Sequence, residues 1–77
     1  MKAIVIIKGN YHPRDITRLW KEIRVTSKQK TIANGVDATA YTVSGFRKTR
    51  FESVEEAIER YIRIMESDER VVVAFPV

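Results

Sequence analysis

Two apolar runs at opposite ends of the chain, residues 3–7 (Ala-Ile-Val-Ile-Ile) and 71–75 (Val-Val-Val-Ala-Phe), constrain its fold more than any other feature. Both are rich in β-branched residues and lack the polar alternation that a strand with one wet face would show. Each is therefore expected to be a buried strand, the first covered on both faces. Lys8-Gly9-Asn10 stops the first run and Pro76 stops the second.

Between them the periodicity changes. Pro13 suits the first turn of a helix, where its missing N–H is not needed. Ile16, Leu19, Trp20 and Ile23 then follow the i, i+3, i+4, i+7 spacing of one helical face, with Arg14, Arg18, Lys21 and Arg24 on the wet side. Asn34-Gly35 is a type I′ turn signal, because both residues tolerate positive φ and β-rich segments flank them. A two-residue loop there pairs Ala33 with Val36, Thr31 with Ala38, Gln29 with Ala40 and Ser27 with Thr42. That register puts Val25, Ala33, Val36, Ala38 and Ala40 on one side, which is small, apolar and expected under the helices. Thr26, Lys28, Lys30, Ile32, Thr39, Tyr41 and Val43 fall on the other, which is expected to be open. Farther on, Ser53 and Glu56 have the spacing of a capping box. Val54, Ala57, Ile58, Tyr61, Ile62 and Met65 give the second helix an apolar stripe.

The order is strand, helix, strand, strand, helix, strand. With right-handed crossovers it resembles the ferredoxin-like split βαβ fold (βαββαβ), an α+β domain with an antiparallel four-stranded sheet and two helices on one face. The rival is a three-stranded meander in which residues 45–51 form a strand of their own.

At 77 residues the chain is one domain, residues 1–77, and too small for a second core. It contains no cysteine, which excludes disulfides and thiolate metal sites and leaves self-association as the common supplement to a small core. A hydrophobic share of 44% with 31% charged residues is that of a folded protein. The apolar runs fall far short of the roughly 18 residues that span a membrane. The N-terminus lacks a signal-peptide core and cleavage site, so a cytoplasmic protein is expected.

Charge is divided along the chain. Residues 1–50 hold eleven Lys or Arg against three acids, a net +8, whereas residues 51–77 hold three Arg against seven acids, a net −4. Seven of the ten acids lie in residues 52–69, on or flanking the second helix, where they favour its N-terminus and form surface pairs. The cations have no such local explanation. Nothing resembles a phosphate-binding loop, a dinucleotide fingerprint or a zinc spacing, and the lone His12, beside Pro13, fits a turn or a helix cap. No catalytic group, metal or cofactor is expected.

Two clusters suit binding. Residues 46–51 (Phe-Arg-Lys-Thr-Arg-Phe) set Arg47, Lys48 and Arg50 between two aromatic rings, with cations for phosphates and rings either tucked into the core or free to stack on bases. The side of the hairpin bearing Lys28, Lys30 and Tyr41 has the layout through which ferredoxin-like RNA-recognition modules read bases, without their glycine-aromatic signature. Separately, residues 51–61 (Phe-Glu-Ser-Val-Glu-Glu-Ala-Ile-Glu-Arg-Tyr) resemble the sheet-to-helix junction of plant ethylene-response-type and phage integrase-arm DNA-binding domains. The tryptophans and arginines of those domains' reading strands are missing here, and no function is carried over.

The expectation is a small non-catalytic accessory protein that binds DNA or RNA through the basic loop and hairpin. The alternative is a protein-interaction module, either a homodimer packed through its open sheet face or an inhibitor capping an acidic surface of a larger complex. Either Ile4 and Ile6 or Ala3, Val5 and Ile7 must point away from the helices, as must half of residues 71–75. A dimer would cover that apolar patch and place Lys28, Lys30 and Tyr41 at its rim.

Overall fold

The Asn34-Gly35 pair turns the chain as its chemistry allows, with φ at 52° and 75°. From it run two long strands, β2 (Arg24–Ala33) and β3 (Val36–Ser44). The computed structural model describes residues 1–46 and 53–77. The remaining elements are β1 (Lys2–Lys8), α1 (Pro13–Leu19), α2 (Val54–Glu66) and β4 (Val71–Pro76). The strands form one sheet in the order β2-β3-β1-β4, with every neighbouring pair antiparallel. The protein is thus an α+β fold, with an antiparallel four-stranded sheet and two helices.

Each helix begins at a side-chain cap. His12 caps α1, its Nδ1 accepting the Arg14 N–H at 3.1 Å while its own N–H donates to Asp15 Oδ2 at 3.2 Å. Ser53 caps α2, its Oγ accepting the Glu56 N–H at 3.1 Å. The first helix is shorter than its apolar spacing suggests. It ends at Leu19, Glu22 turns the backbone at φ 74°, and Ile23 enters the core from that turn.

The hairpin keeps the expected pairing from Ala33–Val36 to Ser27–Thr42. Beyond it the register shifts between Val25 and Ser27, so that Val25 lies opposite Val43 and Thr26 is the extra residue of a bulge.

Which side of the hairpin the helices cover is the reverse of expectation. Tyr41 and Val43 are fully buried, in one cluster with Ala3 and Val5 of β1, Ile16 of α1 and Ile58 of α2. The cause is the pairing of β3 with β1: Val5 lies opposite Tyr41, Ala3 opposite Val43 and Ile7 opposite Thr39. Cross-strand partners share a side, so the side of β1 that meets the helices draws Thr39, Tyr41 and Val43 in with it. Burying a tyrosine ring and a valine also removes far more apolar surface than burying Ala38 and Ala40. The bulge brings Val25 to this side too. Likewise, β1 is not enclosed on both faces. Ala3, Val5 and Ile7 are buried, while Ile4 and Ile6, on the far side, are only half-buried.

The tyrosine hydroxyl is satisfied inside. Tyr41 Oη accepts the Tyr11 N–H at 2.7 Å and donates to the Tyr11 carbonyl at 2.8 Å, and Thr39 Oγ1 donates to the Gly9 carbonyl at 2.6 Å. Two residues of β3 therefore hold the loop between β1 and α1. Tyr41→Phe would strip both partners from the Tyr11 peptide groups. It is expected to lower unfolding free energy in urea by about 1–3 kcal/mol and to speed amide exchange at Tyr11. Unchanged stability would contradict this role.

Candidate nucleic-acid interface

The four strands carry the cations Lys2, Lys8, Arg24, Lys28 and Lys30, and their sole carboxylate is Asp37. The register assigns each to a side. Lys28 lies opposite Tyr41, Lys30 opposite Thr39 and Ile32 opposite Asp37, so these belong to the helix side of the sheet. Lys28 and Lys30 stay exposed because β2 is an edge strand. Lys28 Nζ stands 6.0 Å from the Tyr41 ring centroid, at the outer reach of a cation–π contact.

The grouping expected from the sequence is therefore intact, but its side and its chemistry change. Lys28, Lys30 and Tyr41 are together on the covered side, and Tyr41, with 0% of its surface exposed, offers no ring to a base. Arg47, Lys48 and Arg50 lie outside the described residues. Phe46 turns inward, as a core anchor should, meeting Tyr61 edge-on with ring centroids 5.3 Å apart.

The open side carries the outward apolar residues expected of the outer strands, and adds charged strand ends that sequence reasoning did not join to them. Lys2 and Arg24 both lie opposite Ser44, and Lys8 lies opposite Ala38. Between these ends, Ile4 is paired with Phe75 and Ile6 with Val73. Phe75 keeps 40% and Val73 37% of their surface exposed. Ser27 Oγ donates to Thr42 Oγ1 at 2.8 Å on the same side. The signal for this face was present in the alternation of β1, where Lys2, Ile4, Ile6 and Lys8 share one parity.

A further cation is occupied internally. The Asp68 carboxylate accepts Arg70 Nη2 at 2.7 Å, and its other oxygen accepts Arg70 Nε at 3.0 Å and the Arg70 N–H at 2.9 Å. The Arg70 guanidinium also lies 5.5 Å from the Tyr11 ring centroid. This set of contacts fixes the entry to β4, where the Lys8 N–H donates to the Arg70 carbonyl at 2.8 Å. Hydrogen bonds from the Arg70 side chain, and then from its backbone, hold the Asp68 carboxyl at about 2, below its ordinary 3.8.

Among the described residues no three His, Asp or Glu side chains come together as a metal site, and no helix is long and apolar enough to cross a membrane. A cavity beside Tyr11, Trp20 and Arg70 has a volume of about 20 Å³, room for about one water. No protein-family model matches the chain, and no curated protein or solved structure shows significant similarity to it.

Because the folded-state pKa of Asp68 is depressed, its contribution to stability is complete above about pH 4 and is lost as pH falls toward about 2. Asp68→Asn is expected to be less stable than the wild type at neutral pH, and to lose less stability than the wild type between those two values. Parallel acid-unfolding curves for the two proteins would contradict the ion pair's role.

Proposed function

We infer that this is a non-catalytic binding module for nucleic acid, engaged through the β2–β3 hairpin. The observation that carries the reading is the charge of the sheet: five strand cations, Lys2, Lys8, Arg24, Lys28 and Lys30, against the single acid Asp37. Within β2 there is no acid at all, and Lys28 and Lys30 project from its exposed edge. Cations so placed pair with phosphates, and each pairing releases condensed counterions. Arg47, Lys48 and Arg50 follow the end of β3 in sequence and belong to the same basic segment of the chain. Tyr41 is removed from the binding set because it is buried.

We further read the architecture as the ferredoxin-like split βαβ arrangement. Supporting this are the strand order β2-β3-β1-β4, the antiparallel neighbours, and the contribution of both helices to a single buried cluster.

A second reading, a protein-interaction module, is favoured by the apolar surface at Ile4, Ile6, Val73 and Phe75. Apolar surface left in water commonly marks an interface. On this fold such an interface does not compete with Lys28 and Lys30, which lie on the opposite side of the sheet.

Titrating labelled DNA and RNA against the protein across a salt series tests the nucleic-acid reading. Affinity is expected to fall log-linearly with salt, with a slope near 0.9 per neutralised phosphate on duplex and near 0.7 on single strands. Replacing Lys28 and Lys30 with Ala should lower the slope by about one for each phosphate no longer neutralised. Absence of binding to any nucleic acid at low salt would end the reading. A salt-indifferent dimer in sedimentation, with no nucleic-acid binding, would favour the second.

A further inference from the structure

The open side of the sheet combines an apolar centre with a rim of one charge. Ile4 beside Phe75 and Ile6 beside Val73 form the centre. Lys2, Lys8 and Arg24 stand at its ends. No acidic strand residue shares this side, because Asp37 belongs with Thr39 and Tyr41 on the other.

We propose that this open side binds single-stranded nucleic acid, with bases lying on Phe75 and its aliphatic neighbours and phosphates held by Lys2, Lys8 and Arg24. The proposal rests on the nucleic-acid reading above but uses the face opposite Lys28 and Lys30. It explains the two properties of the surface together. An apolar platform needs a partner with exposed flat faces, which single strands offer and a duplex keeps inside its stack. A rim of cations needs an anion. Ser27, Thr42 and Gln29, on the β2 flank of the platform, supply donors and acceptors for base edges, and the Ser27–Thr42 hydrogen bond orients two of them.

Charge also decides against a second copy of the chain as occupant. Two of these faces packed by two-fold symmetry would bring both sets of Lys2, Lys8 and Arg24 to one rim, with no strand carboxylate on either face to pair with them. Like charges facing across an interface oppose association. A polyanion is complementary at the same positions.

Fluorescence anisotropy with labelled oligothymidine, oligouridine and a duplex of equal length tests the assignment. The single strands are expected to bind more tightly than the duplex. Phe75→Ala should weaken single-strand binding about 5- to 150-fold, the loss of one stacked base, while Phe75→Tyr keeps the ring and should bind nearly as the wild type does. Arg24→Gln and Lys8→Gln, both exposed and outside the core, should each lower the salt slope by about 0.7 for the one phosphate left unpaired. If these variants leave single-strand affinity unchanged while alanines at Lys28 and Lys30 abolish binding, the open-face assignment is overturned and the hairpin reading survives. If no nucleic acid binds at low salt, both fall. A dimer in sedimentation that Phe75→Ala dissociates would assign the face to a second copy and overturn the proposal.

Discussion

The arrangement of this small fold depends on how β3 lies against β1. With Val5 opposite Tyr41, one side of both central strands is committed to the helices, and the hydroxyl of Tyr41 reaches beyond the apolar cluster to hold both peptide groups of Tyr11. That pair of hydrogen bonds ties the centre of the sheet to the loop that leads into α1. It also makes the burial of a phenol compatible with an apolar core, since a buried hydroxyl without partners would be costly. Once Tyr41 points inward, the period of two fixes the strand side chains up to the register shifts in β2 and β4. Lys28 and Lys30 go to the helix side, and Ile4, Ile6, Val73 and Phe75 go to the other.

The charge division along the sequence acquires a spatial form through this pairing. The strands are cationic, and most acids belong to α2 and the segments that flank it. The first helix departs from this pattern, since Arg14 and Arg18 outnumber its Asp15. The sheet's cations fall into two sets on opposite sides, and only the set on the open side surrounds an apolar surface. An anion that also carries flat apolar groups is the partner that suits such a surface, whereas the lysines of the hairpin can serve any polyphosphate backbone.

Much of this was legible in the sequence because local chemistry specified it. The Asn34-Gly35 turn set the hairpin register, the β-branched runs marked β1 and β4, and Pro13 and Ser53 marked the helix starts. Sidedness was not legible. A hairpin's register says which residues are together, but the side they face is decided by the third strand, and the Val5–Tyr41 pairing joins distant parts of the chain. Judging the hairpin by the small apolar set of Ala38 and Ala40 gave the wrong side, because the core gains more from the ring of Tyr41. The bulge at Thr26 likewise carries no strong local signal, yet it moves Val25 to the core side. An apolar run with no alternation says that half of β4 faces outward but not which half, and the Ile4–Phe75 pairing is what puts Phe75 there.

Whether the open side, and not the helix side, meets the bases of a single strand is observed directly by methyl-resolved NMR during titration with an unlabelled oligonucleotide. The methyls of Ile4, Ile6 and Val73 are expected to shift and to show intermolecular contacts with base protons, while those of the buried Ile16 and Ile58 remain unmoved. Shifts confined to the neighbourhood of Lys28 and Lys30, with the methyls of Ile4, Ile6 and Val73 unchanged at saturation, would contradict it.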